Sequence, residues 1–518
     1  MLHQKSNEKS EQLRHEGNKC YSNQNFFEAM LKYNESLCYA DPKSENVGLA
    51  YANRSAIYFE MKLYDKCLNN VDMARKNSYP ERNLENLVKR EQKCHEMVKT
   101  SNQKISNPWN FFKLSYQPNK KLPFIVNCLE LNCNDKYGRF VTTNHSLKVG
   151  DIISIEEPFC KVLLSKSKFR KIPKSNIYQK CSNCLRDNSL DLIPCNSCCL
   201  SMFCSIECME TALKRFHRYE CSIMAKLLES GSVHMAMRLF FIALSKFDGC
   251  FEKLEDFISN ENKMTIFDCD LKSSEREGNE RMLRSLMSLM KSPKIFPVTP
   301  LMEILKNHHE LGDSSEKHEK FIANFLQKLR QISDWNFHGI TSGSSKSVDV
   351  NETKREGLEE TIGSGSLIFC SLINHSCANN VMRICVEGKV LLVVCRPISK
   401  GSQLFDCYKI SFLQHQKQER QEILLKDFGF ACDCEACTQN FPTPPMLKFK
   451  DPKLLKFAKK TDDEMLTLQH NQAFKKFRDC CDILEKNNQN FPCLELCLLL
   501  RCIANFLFKQ AQPSVVFP

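Results

Sequence analysis

Apolar residues recur at helical spacing in three long parts of the chain and at strand-like spacing in two shorter parts. The helical period runs through residues 8–100, 222–340 and 438–518. Within the first of these segments, a weak repeat of about thirty-five residues indicates stacked helix pairs. Short β-rich runs, bounded by Gly-containing turns, lie in 122–180 and 367–410 and predict strands. The pattern therefore predicts an α+β protein with several domains.

Two segments fit neither period. Residues 101–121 form a polar linker in which Trp109 and two Phe residues are expected to pack against the next domain. Residues 341–366 are rich in Ser, Gly and charged side chains, which predicts a mobile surface loop. Because no apolar run approaches about twenty residues, we expect no membrane span.

Composition and charge narrow the function classes only slightly. The chain has 518 residues, of which 42% are hydrophobic, so it is long enough for several cores. Its net charge of +12 comes from 73 basic and 61 acidic residues, a mild excess that makes nucleic acid an unlikely partner. The stretch Lys161–Lys180 is basic and has no acid; a solvated loop and a patch for nucleic acid or an acidic partner both fit it.

The thirty cysteines carry the strongest chemical signal. The chain opens on polar and charged residues rather than an apolar signal segment, so we expect a reducing compartment and no disulfide framework. Residues 181–221 hold eight thiol and imidazole ligands in four close pairs, which predicts two structural zinc sites and a binding or scaffolding role, rather than buried thiols alone. The pairs are Cys181 and Cys184, Cys195 and Cys198, Cys204 and Cys208, and His217 and Cys221.

Further motifs flank this cysteine-rich segment. Tyr137-Gly138-Arg139 precedes it, and three more follow: Asn374-His375-Ser376-Cys377, Gly401-Ser402-Gln403-Leu404-Phe405-Asp406-Cys407-Tyr408, and Cys432-x-Cys434-x2-Cys437. In this order they resemble the SET lysine methyltransferases, while the four ligand pairs resemble a MYND zinc finger and the first helices resemble tetratricopeptide repeats. With all these features combined, the chain resembles the SMYD family and is closest to its type-four branch.

The resemblance implies a division of the chain. A β-rich SET domain is split into 122–180 and 367–410 by the finger at 181–221 and a helical insertion at 222–340. A post-SET segment follows at 411–437, and α-helical repeats flank the whole at 8–100 and 438–518.

The resemblance also implies three zinc ions with defined ligands. Cys181, Cys184, Cys204 and Cys208 hold one ion; Cys195, Cys198, His217 and Cys221 hold the second. The third ion takes Cys432, Cys434 and Cys437, with Cys377 as the distant fourth ligand.

The implied activity is transfer of a methyl group from S-adenosylmethionine to lysine in a histone or non-histone protein. Methyl transfer is an in-line displacement, so the protein mainly aligns donor and acceptor and removes water. Deprotonating lysine near pH 7.4 requires about 4 kcal/mol, which a dry aromatic channel reduces. Tyr408 is the implied catalytic residue, and the implied cofactor contacts are Tyr137, Gly138, Arg139, Asn336, Asn374, His375, Tyr408, Phe428 and Phe430. Phe140 departs from the family, which has Gly there.

The first repeats suggest a peptide site. Arg14, Asn18 and Asn53 fall where some tetratricopeptide repeats clamp the C-terminal carboxylate of chaperone tails. The third helix of such a clamp should add a Lys and an Arg one turn apart, but Asn86 stands one turn before Arg90 and only Lys89 could substitute, so the clamp is incomplete. Ordinary surface polarity explains the same residues. At the finger, the resemblance implies proline-rich or corepressor-type partners, with a role in transcription and residence in both cytoplasm and nucleus.

A second function class competes with the enzyme. In it the SET core is a degenerate scaffold, and the repeats and the finger act as an adaptor. Calorimetry with the cofactor separates the two, because only the enzyme requires cofactor binding.

Overall fold

The computed structural model describes residues 4–98, 107–164, 174–186, 191–229, 231–260, 264–271, 275–343 and 359–511. Helices form both ends of the chain and the insertion, and strands form the middle, as the α+β pattern predicts. No helix within the described residues is both long enough and apolar enough to cross a membrane.

Five helices form the amino-terminal region. The side chains of Ser6 and Asn25 accept main-chain N–H groups at the starts of the first two helices, which satisfies donors that a helix leaves open. Gly17 lies where these two helices cross, since a Cβ there would approach the Tyr33 ring to 2.5 Å. The helices are α1 (Asn7–Ser22), α2 (Phe26–Tyr39), α3 (Glu45–Glu60), α4 (Tyr64–Lys76) and α5 (Leu84–Val98).

The strands of the split domain come from both sides of the inserted segments. Before the finger lie β1 (Leu129–Asn134), β2 (Gly138–Thr143), β3 (Ile152–Glu156) and β4 (Cys160–Leu163). The finger contains β5 (Ile193–Pro194), β6 (Met202–Phe203), α6 (Ile206–Ala212) and α7 (Arg218–Glu220). The insertion contains α8 (Met224–Leu228), α9 (Gly231–Ser245), α10 (Phe251–Ser259), α11 (Glu275–Met287), α12 (Thr299–Lys306), α13 (Gly312–Lys317) and α14 (Glu319–Asn336). After it come β7 (Phe337–Gly343), β8 (Glu359–Ser366), β9 (Asn374–His375), β10 (Val381–Val386), β11 (Lys389–Val394) and β12 (Phe405–Asp406).

Sheet pairing joins the two halves. β3 is an edge strand of the β10-β11-β3 sheet, in which Leu391 pairs with Ile155. β4 is an edge strand of the β4-β8-β7 sheet, in which Leu163 pairs with Gly363. β1 and β2 form a hairpin, and β9 and β12 form a short parallel pair.

The mobile loop predicted for 341–366 is wrong wherever the structure describes it. Residues 341–343 complete β7, and 359–366 form β8, the central strand of its sheet; 344–358 lie outside the described residues. The glycines reflect close packing, because a Cβ on Gly363 would lie 2.4 Å from Leu185 and 2.7 Å from the Val162 carbonyl oxygen. The helical insertion accordingly ends at Asn336, four residues before the predicted boundary at 340.

Five helices complete the chain: α15 (Lys417–Phe428), α16 (Glu435–Thr438), α17 (Pro452–Glu464), α18 (His470–Asn487) and α19 (Leu494–Ala511). The described part of the predicted linker packs on them. Phe111 contacts Phe477 and Phe506 with ring centroids 6.2 and 5.5 Å apart, and Phe112 is buried in the same cluster. The described linker also packs on the split domain, as expected: Trp109 Nε1 donates to Glu387 at 2.8 Å and the Tyr116 hydroxyl to Asp151 at 2.7 Å. The additional packing on the carboxy-terminal helices is not indicated by the sequence.

Candidate active site and metal centres

Three groups of four metal-ligating side chains come together, and they are the three predicted sets. Within each group the ligand atoms all lie within 4.8 Å of one another. Representative separations are 3.4 Å between the Cys181 and Cys208 sulfurs, and 3.6 Å between those of Cys377 and Cys437. A tetrahedral zinc with Zn–S bonds of about 2.3 Å places its sulfurs about 3.8 Å apart. The donor sets and their spacing therefore fit three zinc ions.

A buried ion pair fixes the finger to the split domain. Glu220, between the ligands His217 and Cys221, accepts from Arg238 Nε at 2.8 Å and from Nη2 at 2.6 Å. Arg238 Nη1 also donates to the carbonyl oxygens of Lys161 in β4 and Ser182 in the finger. Burial alone would raise the pKa of Glu220, but the charges of Arg238 and His234 hold it well below its ordinary value. One guanidinium thus joins the insertion, the finger and the split domain.

The amino-terminal helices brace the other side of the finger. Lys5 donates to the carbonyl oxygen of Cys195, a member of the second metal-ligating group, at 2.7 Å, and Arg54 donates to that of Leu192 at 2.6 Å. At the two ends of the basic stretch, Lys161 and Lys180 are buried, so neither contributes to an exposed basic patch. Residues 165–173 of that stretch lie outside the described residues.

The two halves of the split domain meet at Asn374. Its Nδ2 donates to the carbonyl oxygens of Tyr137 at 3.2 Å and Arg139 at 3.4 Å. The parallel pairing of β9 with β12 brings Phe405 beside Asn374, and the Phe405 ring lies 6.1 Å from that of Tyr137. Residues far apart in sequence therefore form one site.

Tyr408 lies inside this site, in an aromatic enclosure. Its hydroxyl donates to the Ile373 carbonyl oxygen at 3.1 Å, and its ring is 5.4 Å from His375 and 5.2 Å from Phe428. The Phe430 ring lies 6.0 Å from that of His375. Burial, followed by the charge of Asp406, raises the pKa of Tyr408, so the phenol stays protonated at neutral pH.

His375 connects Tyr408 to the third metal group. Its Nδ1 accepts the Tyr408 main-chain N–H at 3.2 Å, and its Nε2 lies 3.3 Å from the Cys377 sulfur. Burial lowers the pKa of His375 to about 4, so the ring is neutral. Because Nδ1 of the neutral ring accepts a hydrogen bond, Nε2 carries the proton. The Nε2–H group points at the Cys377 sulfur, which suits a metal-bound thiolate.

Three other residues at the predicted cofactor site have distinct surroundings. A Cβ on Gly138 would meet no neighbouring side chain or main chain within 4 Å, but its φ of +60° means that the turn itself favours glycine. Phe140, the departure from the family, packs its ring 6.0 Å from Tyr137. Asn336 donates to the carbonyl oxygens of Met290 and Ile332, so its amide hydrogens hold the end of α14 and only Oδ1 remains for a ligand.

A cavity of about 420 Å³ opens beside Arg139, and its lining includes no other predicted cofactor contact. Burial lowers the pKa of Arg139, whose guanidinium donates to the Ser288 carbonyl oxygen at 2.7 Å. The lining combines cations with apolar side chains, among them Arg139, Arg284, Lys291, Lys328, Met264 and Met287. This volume is in the range of small-molecule sites, and the cations suit a ligand with an anionic group.

Sequence reasoning missed two buried carboxyl groups at the site. Glu156 of β3 accepts the main-chain N–H groups of Phe369 and Cys370 at 2.9 and 3.0 Å, and thereby holds the turn that leads to Asn374. Asp406 pairs with Arg383 of β10 at 3.0 Å. Asp406 stands in the Gly401–Tyr408 motif without an assigned role, and the sequence signal for Glu156 is a charge inside an apolar strand.

In the amino-terminal helices, the three predicted clamp residues only partly converge. Asn53 Nδ2 and the Tyr33 hydroxyl both donate to Asn18 Oδ1, at 2.8 and 2.9 Å. Arg14 lies near enough to lower the pKa of Tyr33, although burial of this phenol raises it overall. Lys89 is exposed and pairs with Glu85. The charge of Arg90, like that of Arg14, acts to lower the pKa of Tyr33. Arg90, and not Lys89, is therefore the cation of α5 near Tyr33, and its Nη1 donates to the Ala52 carbonyl oxygen at 2.9 Å and to the Ser55 hydroxyl at 2.8 Å.

Comparison with known proteins agrees with this geometry. The sequence matches the SET domain family over residues 11–409, more than half of the chain. The chain therefore belongs to the SET domain family.

Its relatives indicate the branch. Protein-lysine N-methyltransferase SMYD4 of Danio rerio is 22% identical over 501 residues, covering 84% of this chain and 66% of that protein. The Mus musculus protein of the same name is 23% identical over 549 residues, covering 82% and 66%. Histone-lysine N-methyltransferase SMYD3 of Homo sapiens is 22% identical over 358 residues, covering 64% and 70%. These similarities confirm the SMYD family and its type-four branch, although the chain spans only 66% of the length of these two SMYD4 proteins.

Proposed function

We propose that the protein is an S-adenosylmethionine-dependent protein-lysine N-methyltransferase that acts on histone or non-histone proteins. The observation that carries the proposal is the contact of Asn374 with both Tyr137 and Arg139 beside Tyr408. When bound, the cofactor supplies a methyl group on a positively charged sulfonium.

The residues around the site suit alignment rather than acid-base chemistry. The main chain of Tyr137–Arg139 and the amide of Asn374 form a polar rim, and Arg139 lies at the cation-lined cavity, which suits the carboxylate of the cofactor. Phe428 and Phe430 offer apolar faces to the adenine. Tyr408, protonated and fixed on Ile373, gives the acceptor a polar contact in an otherwise aromatic wall. Such a wall favours the neutral, nucleophilic form of lysine.

The test has a binding step and a transfer step. Calorimetry of the zinc-loaded protein with S-adenosylmethionine is expected to show binding at one site. A protein array incubated with methyl-labelled cofactor is expected to show labelled lysines, and Tyr408→Phe should remove the label while leaving cofactor binding nearly intact. Tyr116→Phe is the matched control, because Tyr116 bonds Asp151 away from this site. Absence of cofactor binding would instead favour the adaptor function.

A second proposal concerns the amino-terminal helices. The hydrogen bonds of Asn53 and Tyr33 to Asn18, with the charges of Arg14 and Arg90 near Tyr33, support binding of a C-terminal carboxylate, such as that of a chaperone tail. A peptide ending in Glu-Glu-Val-Asp should bind, and its C-terminal amide should not. Arg14→Ala should weaken binding about tenfold, whereas Lys89→Ala should have no effect. Proline-rich partners of the finger would have to approach away from the face that Lys5 and Arg54 occupy.

A further inference from the structure

A single half-buried arginine joins three segments of the candidate site. Arg383 of β10 contacts the Asp406 carboxylate through Nε at 3.0 Å and donates from Nη2 to the Cys407 carbonyl oxygen at 3.0 Å. Its Nη1 contacts Nδ1 of His338 in β7. The fork of the guanidinium thus reaches the two residues before Tyr408 and, separately, the neighbouring sheet.

His338 extends the contacts to the segment that carries Asn374. Its Nε2 lies 3.3 Å from the Ser371 hydroxyl, which donates to the Leu367 carbonyl oxygen at 2.6 Å. Two residues after Ser371, the Ile373 carbonyl oxygen accepts the Tyr408 hydroxyl. These contacts therefore reach Tyr408 from two directions. Arg383 holds the main chain just before Tyr408, and His338 contacts the segment whose carbonyl oxygen accepts the Tyr408 hydroxyl.

The main chain around Asp406 is fixed as well. Asp406 Oδ1 accepts the Cys407 N–H at 2.7 Å, and the Asp406 carbonyl oxygen accepts the Ser376 N–H at 2.9 Å. Asp406 is 3% exposed, and the Arg383 side chain is 23% exposed. Burying such a pair contributes little to stability compared with apolar residues of the same size, so its presence beside the site favours a role in geometry.

We propose that Arg383, Asp406 and His338 form a positioning network that holds Tyr408 in register with the Asn374–His375 turn. The inference rests on the proposed function, since Tyr408 is the group being placed. Misplacement of a reacting group by about 1 Å can lower turnover about a hundredfold. Arg383 needs its planar fork for this, because lysine offers one point charge that cannot reach all three partners in fixed geometry.

Four variants test the network in the zinc-loaded full chain: Arg383→Met, Arg383→Lys, Arg383→Met with Asp406→Asn, and Lys389→Met. The last is the matched control, because Lys389 lies on the paired strand β11 with its side chain 42% exposed. Amide hydrogen exchange across 403–410 and 370–376 reports how readily the main-chain hydrogen bonds of the two turns open. Cofactor calorimetry and methyl-transfer kinetics are measured on the same samples.

Arg383→Met is expected to speed exchange across 403–410 about tenfold or more and to lower kcat about a hundredfold, with cofactor affinity within about threefold. Arg383→Lys should restore part of the slow exchange and part of kcat. The double variant, which removes the unpaired buried charge, should recover the melting temperature but neither slow exchange nor kcat. Unchanged exchange in Arg383→Met, or recovery of kcat by the double variant, would overturn the proposal. If the parent transfers no methyl group, the proposed function fails, while the exchange data still decide whether Arg383 holds the turn.

Discussion

Arg238→Met removes the guanidinium that joins the finger to the split domain and leaves Glu220 buried without its principal counter-ion. Glu220 and Arg238 are 0% and 2% exposed, so solvent does not screen their attraction. Breaking a buried pair by removing one partner costs about 3–5 kcal/mol. The carbonyl oxygens of Lys161 and Ser182 also lose a donor, which adds to the loss. We therefore expect Arg238→Met to destabilise the finger by at least about 3 kcal/mol.

The assay follows zinc release and circular dichroism together during urea unfolding. Because Glu220 lies between two zinc ligands, Arg238→Met should release about one or two zinc ions before the rest of the chain unfolds. Adding Glu220→Gln should recover much of the loss, since no uncompensated charge remains. Arg218→Met is the matched control: Arg218 is exposed, stacks on Tyr219 and should change stability by less than about 0.5 kcal/mol. A loss below about 1 kcal/mol in Arg238→Met, or no effect on zinc release, would refute this account of the junction.

Three further predictions concern other parts of the fold. Burial raises the pKa of Glu156 from 4.5 to about 7, although the carboxyl group accepts two main-chain N–H groups. Between pH 4.5 and about 7 this carboxyl group is therefore protonated in the native state and ionised in the unfolded chain. This group's contribution to stability should therefore fall as pH rises from 4.5 to about 7, by about 1.4 kcal/mol per unit, and Glu156→Gln should flatten the melting temperature across that range. Cys437→Ser should lower bound zinc, measured by elemental analysis, from about three ions to two per chain and weaken cofactor binding, whereas Cys250→Ser, outside the three groups, should change neither. Gly363→Val should lower stability by about 1–3 kcal/mol in thermal unfolding because its side chain meets Leu185 and β4; an unchanged melting temperature would show that β8 does not pack as described.

The sequence predicted best what short spacings determine. The finger ligands come in close pairs, so the local chain brings each pair to one metal. The Asn374 and Tyr408 motifs could be located for the same reason, each being a short continuous run. The fourth ligand Cys377 required the family resemblance, because it lies 60 residues from Cys437 and spacing cannot connect them.

What the sequence did not predict depends on contacts between distant segments. β8 reads as a loop because its glycines and serines have low strand propensity, yet it pairs on both sides and packs against Leu185. Arg383 reads as a surface residue of a β-hairpin, since its partners Asp406 and His338 are 23 and 45 positions away along the chain. Lys89 and Arg90 are adjacent in sequence, and only the rotation of α5 determines which of them faces Tyr33.

The topology explains how a β domain tolerates so large an interruption. The chain leaves the split domain after β4 and returns through β7 and β8, and Leu163 pairs directly with Gly363. The two ends of the inserted segments therefore lie on β4 and β7, the two edge strands of one three-stranded sheet, and the entropic cost of closing such a loop grows only slowly with its length. Metal binding supplies the finger with its own stability, and Arg238 then couples it to β4. The site is consequently assembled by the sheet pairing of the two halves, and the inserted modules act on it through the junctions at Arg238 and Gly363.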